Sequence, residues 1–287
     1  MLTGKYIILN DIKFLFIKGV DKYEFMQSII TNDINKTNNK VIYSCLLSPQ
    51  GKFLSDFFIS LNNEGFIIEI NEIYLKDFIK KLDLYKLRSK VEIINNNDFK
   101  LLIILNSSIN PNLEEGDFID SNKTIHYVDP RNKKLGTRLI IKKNDIEKYI
   151  EKQNLIKTDE NIYLQLMIEN KIPNSIYDLE INKSLLLENN FENINAIDWN
   201  KGCYIGQEIT ARMKYRALIK KSLTTFDLTS GKINKGDNIF HNEKNVGIVK
   251  SVVNSKGLAL IRKDSLEFSK NQNIYLNTKN GQIKIIN

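Results

Sequence analysis

Two cysteines, two histidines, four prolines and one tryptophan are all that 287 residues contain of those types, and the shortages exclude whole classes of chemistry. Cys45 and Cys203 lie far apart and in no metal-ligand spacing, which rules out a disulfide scaffold and fits a reducing compartment. A cubane iron–sulfur cluster takes about four thiolate ligands, so this chain cannot hold one alone. Cys203 can offer at most a transient or bridging thiol. His126 and His241 are isolated, with no CxxC or HxxxH pattern to build a metal site and no recognisable partner for base catalysis. Neither a Gly-x-Ser-x-Gly elbow nor a Gly-x-Gly-x-x-Gly phosphate loop is present. The apolar stretch from Tyr6 to Val20 is broken by Asn10, Asp11, Lys13 and Lys18, so no run is long enough to span a bilayer. The N-terminus has neither the layout of a secretory signal nor the composition of an organellar presequence. Cytoplasm is the expected location.

What is present describes a globular protein: 42% hydrophobic and 26% charged residues, enough chain for two or three domains. Lysine plus arginine exceed aspartate plus glutamate by 8, and the isoelectric point is near 9.1. Such a balance suits nucleic acid. Here, however, Lys, Asn and Ile are over-used even in evident loops such as Asn35 to Lys40 and Asn95 to Asp98, so the charge reads as a general bias. It would equally attract an anionic small molecule or an acidic partner. No strand interleaves aromatic and basic residues as RNA-binding sheets do, and direct nucleic-acid binding is not expected.

Strand patterns occupy Tyr6 to Leu9, Lys13 to Ile17, Val41 to Leu47, Phe53 to Leu61 and Phe66 to Ile70. The turns Ser48-Pro49-Gln50-Gly51 and Asn62-Asn63-Glu64-Gly65 separate the last three. Asp21 with Glu24 three residues on predicts a capping box ahead of a helix carrying Phe25, Ile29 and Ile30 on one face. Tyr74 to Leu87, Glu147 to Glu151 and Glu160 to Ile168 have helical spacing. Further strands are predicted at Lys90 to Ile94, Leu101 to Leu105, His126 to Val128 and Thr137 to Ile141. After Lys221 short strands punctuated by Gly231, Gly236, Gly247, Gly257 and Gly281 predict a small barrel without a helix. The fold class is therefore α+β with an all-β final quarter.

The segment Lys201-Gly202-Cys203-Tyr204-Ile205-Gly206-Gln207-Glu208 carries the most chemistry. A thiolate is stabilised by a neighbouring cation such as Lys201, and flanking glycines allow sharp turns; a buried cysteine in a tight turn is the plainer alternative. Asp56, in an apolar strand, either faces solvent or lines a cleft that perturbs its pKa. Glu188, closing Leu185-Leu186-Leu187-Glu188, poses the same choice. Arg212, Lys214, Arg216, Lys220 and Lys221 form either a solvated helix end or a grip for carboxylates and phosphates.

Together these residues resemble the YgfZ-type folate-binding proteins, which assist iron–sulfur cluster assembly and repair and are related to the aminomethyltransferase (T-protein) of the glycine cleavage system. The family signature Lys-Gly-Cys-Tyr-hydrophobic-Gly-Gln stands at Lys201 to Gln207, and the T-protein carries another residue where Cys203 stands. Further matching stretches are Thr31-Asn32-Asp33, Leu47 to Lys52, Tyr85 to Val91, Asp129-Pro130-Arg131 with Leu135-Gly136, Leu187-Glu188, Gly247 to Ser251 and Gly257 to Arg262. The likeness begins almost at Met1, which implies no targeting extension; an organelle matrix would require a presequence this chain lacks.

The resemblance implies a T-protein-like architecture of three domains around a central channel. Residues 1–41 with 95–215 would form a discontinuous α/β domain, 42–94 a smaller inserted α/β domain, and 216–287 the barrel. It implies tetrahydrofolate or another reduced folate as cofactor, held by Asp56, Glu188, Tyr204, Gln207 and Arg212, with Cys203 as the functional thiol and Lys201 favouring its thiolate. It implies no metal site. Implied partners are iron–sulfur assembly proteins and their client enzymes, and support of tRNA modification is implied as well. Where the T-protein has adjacent aspartates this chain has Ser55-Asp56; an acid–base pair cannot be assembled. A non-catalytic maturation factor is thus expected, with folate-dependent aminomethyltransferase-like transfer as the alternative.

Overall fold

The computed structural model describes residues 4–106, 112–121, 124–216, 218–271 and 274–286. Contacts divide the chain into two compact units, one of residues 1–47, 54–160 and 194–205, the other of residues 48–53, 161–193 and 206–287.

The first unit contains two sheets. One has the order β11-β1-β7-β10-β9-β8, from β1 (Lys5–Leu9), β7 (Phe99–Leu105), β8 (Phe118–Ser121), β9 (Thr124–Val128), β10 (Thr137–Lys142) and β11 (Ile156–Lys157). The other has the order β3-β4-β5-β2-β6, from β2 (Ile12–Lys18), β3 (Ile42–Leu47), β4 (Phe53–Asn62), β5 (Gly65–Asn71) and β6 (Glu92–Asn96). This sheet takes β3, β4 and β5 from the 42–94 segment and is completed by β2, from the first 41 residues. Phe14 to Ile17 of β2 are buried without alternation, as expected for a strand covered on both faces. Helix α2 (Glu72–Lys86) lays Tyr74, Phe78 and Leu82 on the β4–β5 sheet, with the Phe57 and Phe78 rings 4.8 Å apart. Each such side chain contributes roughly 1.5–3 kcal/mol by leaving water. Helix α3 (Ile146–Lys152) lies beside the other sheet.

Helix α1 (Lys22–Ile29) forms where the pattern places it, but its expected capping box does not. The Asp21 carboxylate makes no bond to the helix; it accepts the Lys90 N–H at 2.6 Å. A long-range backbone donor has outcompeted the local ones.

The second unit carries α4 (Glu160–Glu169), α5 (Ser175–Asp178), α6 (Gln207–Tyr215) and a closed barrel in the order β12-β15-β14-β13-β16-β17. Its strands are β12 (Lys221–Gly231), β13 (Asn238–His241), β14 (Lys244–Val253), β15 (Lys256–Arg262), β16 (Tyr275–Asn277) and β17 (Gly281–Ile286). Phe226, Ile239, Val249, Ala259, Ile261 and Ile283 fill it. The barrel also contains a helix that the sequence pattern did not predict, α7 (Lys263–Asn271). Leu266 joins the barrel core while Phe268 is exposed, so one apolar residue anchors the helix and no periodic stripe advertises it.

Candidate functional site

The signature segment is fixed to the end of α1 through backbone groups. Thr31 Oγ1 donates to the Ala196 carbonyl (2.6 Å), and Asn32 Nδ2 donates to the carbonyls of Tyr43 (2.9 Å) and Asn195 (2.8 Å). The Asp198 N–H reaches the Thr31 carbonyl (3.0 Å), and the Ile205 N–H the Ser28 carbonyl (3.1 Å). Within this frame Lys201 is buried. Its ammonium donates to the carbonyls of Gln27 (2.8 Å), Ile30 (2.6 Å) and Asn32 (2.9 Å), and lies 5.0 Å from the Tyr204 ring centroid. An ammonium has three hydrogens, and all three serve the carbonyl-rich end of α1. Lys201 thus anchors the segment to the end of α1. Burial pushes its pKa down to about 8, against Asp33 and Asp198, which pull it up.

Tyr204 is likewise buried, whereas Gly202 and Cys203 between the two anchors are exposed. Nothing lies within 4 Å of where a Cβ on Gly202 would stand. A thiol held out on a short, doubly anchored segment is open to another molecule. The other thiol differs: Cys45 is buried, and burial first, then the nearby Asp56, pushes its pKa well up.

Asp56, on β4, is half-buried, and its Oδ2 accepts the Tyr43 hydroxyl at 2.6 Å. Beyond Tyr43 lies an ionic cluster that sequence reasoning did not assemble. Arg131 donates from Nε and Nη2 to the two oxygens of Asp129 (3.0 and 2.7 Å), with its guanidinium 5.4 Å from the Tyr43 ring centroid and 4.9 Å from that of Phe58. Arg138 bonds Glu69, the Tyr127 hydroxyl (3.0 Å) and Asp129 (3.4 Å), over the Phe58 ring at 4.0 Å. The Tyr127 hydroxyl also donates to Glu69. Burial raises the Asp129 carboxyl, but Arg131 and Arg138 more than offset it, and its pKa lies below the ordinary value. The available signal was a charge inside an apolar strand, Glu69 in β5 and Arg138 in β10. Ser55, beside Asp56, has a buried hydroxyl with no hydrogen-bond partner among the described residues.

The remaining predicted site residues lie in the second unit. Glu188 is half-buried in a 3-10 turn, Leu186–Asn189. Gln207 opens α6, capped by Gly206 at φ +84°. Arg212 is exposed and pairs with Glu208 one turn back at 3.4 Å, and Lys214 pairs with Glu192 at 2.5 Å. Gly51, at φ +68°, packs on the start of α6: a Cβ there would stand 2.9 Å from Ile209 Cβ and 3.0 Å from the Gly206 carbonyl. Lys201, Cys203 and Tyr204 are thus brought together, with Asp56 in the same unit, while Glu188, Gln207 and Arg212 belong to the other. No group of three or more His, Cys, Asp or Glu side chains able to hold a metal occurs among the described residues.

No protein-family profile matches the chain. A tRNA-modifying protein YgfZ from Buchnera aphidicola is 30% identical over 257 residues, covering 83% of this chain and 78% of that protein. The chain belongs to the YgfZ family. The crystal structure of the glycine cleavage system aminomethyltransferase T from Bartonella henselae superposes with a TM-score of 0.79 over 99% of this chain and 85% of that one, at 12% identity, a likeness of fold alone. Mitochondrial relatives are similar too. The iron-sulfur cluster assembly factor IBA57 homolog of Dictyostelium discoideum is 28% identical over 240 residues, 72% of this chain and 58% of the relative. The mouse factor IBA57 is 26% identical over 226 residues, 72% and 62%. This YgfZ-family chain thus spans little more than half the length of the mitochondrial relatives it matches.

Proposed function

We propose that this YgfZ-family protein serves the assembly or repair of iron–sulfur proteins as a reduced-folate-binding factor in which Cys203 is the working thiol. The observation that carries the reading is the exposed Cys203 on its doubly anchored signature segment, in a chain whose relatives are named iron-sulfur cluster assembly factors. One thiol supplies a fraction of what a cluster needs, so Cys203 acts on a cluster or thiol that a partner also holds. The partners are iron–sulfur assembly proteins and client enzymes, and tRNA modification is served through such clients. A reducing compartment, the cytoplasm or an organelle matrix, suits two free thiols. Among the described residues no helix is long and apolar enough to cross a membrane.

The residues fit a folate in chemistry. A pterin presents N–H donors, and each unit by itself offers a half-buried carboxylate of the accepting kind, Asp56 in the first and Glu188 in the second. In the second unit, taken by itself, Gln207 and the forked donors of Arg212 lie on α6, Arg212 suiting an anionic glutamate tail. When bound, a reduced folate supplies one-carbon chemistry at N5 and N10. In titration calorimetry, tetrahydrofolate is expected to bind saturably, and Asp56→Asn and Glu188→Gln each to weaken it about tenfold, the worth of one good polar contact. Absence of saturable heat would remove the folate half of the proposal.

A second reading, folate-dependent aminomethyl transfer, draws on the shared T-protein fold. Ser55 stands where a second acid would be needed, and product formation from methylene-folate and an amine donor would be required to favour it.

A further inference from the structure

A cavity of about 230 Å³ lies in the second unit, beside α4, α5 and β14. Leu164, Met167, Ile168, Ile172, Val252 and Leu258 give it apolar walls. Tyr177 and Lys235, both exposed, mark its opening, with Lys235 Nζ 5.7 Å from the Tyr177 ring centroid. Among these walls sits one carboxylate, Asp178, itself only 1% exposed.

The setting of Asp178 is unusual. The register of β14 against β15 shifts between Val249 and Val252, a bulge of the kind that re-aims residues toward sites. Ser251, on that bulge, donates its N–H (2.7 Å) and hydroxyl (2.5 Å) to Asp178 Oδ1. The Asn174 N–H donates to Oδ2 (2.8 Å). A carboxylate accepts about four hydrogen bonds, so Oδ2 keeps one acceptor position. Holding the bulge accounts for the three bonds. It does not account for an apolar cavity with a fixed carboxylate in its lining and a lysine at its opening.

We propose that this cavity binds a free α-amino acid with a large apolar side chain. The ammonium bonds Asp178 Oδ2, the carboxylate meets Lys235, and the side chain fills the apolar walls. An apolar amine would make no use of Lys235 at the opening, and an apolar acid would bring a second negative charge toward Asp178. Only a molecule with both charges and an apolar body answers the lining. The inference stands apart from the folate reading, since none of its residues enters that site.

The test is titration of the full chain with L-leucine and L-phenylalanine, using 4-methylpentanoate and 3-methylbutylamine as comparators. Saturable binding by an amino acid is expected, with both comparators at least about tenfold weaker, a difference of about 1.4 kcal/mol. Lys235→Ala, on the surface, should weaken amino-acid binding about tenfold and leave the amine unchanged; Val252→Trp should fill the cavity and abolish binding. The proposal is overturned if neither amino acid binds at concentrations of about 10 mM, well above a millimolar affinity. It is equally overturned if a comparator binds as tightly, or if a folded Val252→Trp protein still binds.

Discussion

Lys201 shows how far a residue's identity can be read without its partners. The sequence marks it as a cation beside a thiol; the fold spends its three hydrogens on the carbonyls of Gln27, Ile30 and Asn32. Lys201→Met leaves those acceptors unpaired in a buried place, and a loss of about 3 kcal/mol or more is expected in chemical denaturation, since hydrogen bonds to charged groups are worth about 1.5–3 each. The pH dependence follows from a folded-state pKa of about 8 below the ordinary lysine value of about 10.4. The folded chain releases its proton first, so the Lys201 contribution to stability rises between about pH 8 and pH 10. In the Lys201→Met protein that rise should be absent. The two thiols separate by exposure: iodoacetamide on the native protein should modify Cys203 rapidly and Cys45 only after unfolding, as mass spectrometry would read.

At the level of elements, glycines and charges inside strands carry most of what pattern alone misses. Gly51 and Gly202 both belong to conspicuous motifs, yet only Gly51 combines a positive φ with a close neighbour. Gly51→Ala should cost about 1–3 kcal/mol through strain and collision, whereas Gly202→Ala should lie within about 0.5 kcal/mol of the parent, as surface changes do. The buried cluster on β5, β9 and β10 makes a further claim. Arg138→Met leaves Glu69 and Asp129 short of a counter-charge and should lose about 3–5 kcal/mol. Asp129 has a depressed pKa, so its contribution is present above about pH 4 and lost as pH falls through the folded-state value; in Asp129→Asn that acid-sensitive component should vanish from the denaturation profile. Strands and long helices were legible because their apolar residues stand in short unbroken runs or at helical spacing, as in Phe14 to Ile17 and in Tyr74, Phe78 and Leu82. The helix Lys263–Asn271 and the Asp21–Lys90 bond were not, because one rests on a single core residue and the other on a donor 69 residues away. The Glu69–Arg138–Asp129 cluster was hidden for the same reason: register, not spacing, brings its members together.

For the whole molecule, the α+β class and the terminal barrel followed from glycine-punctuated strands, and the family from a seven-residue signature with matches scattered along the chain. An excess of 8 positive charges has a consequence that local motifs lack. It should draw an anionic ligand by a screened, long-range field, so affinity for a folate with several tail glutamates should fall more steeply with salt than that for the monoglutamate form. Equal slopes in salt-dependent titrations would remove the net charge from the account. The central claim concerns Cys203, and complementation addresses it most directly. In cells deleted for their own YgfZ-family factor, iron–sulfur enzyme activity should be restored by this protein and not by a Cys203→Ser protein expressed to the same level and equally folded; full restoration by Cys203→Ser would contradict the account.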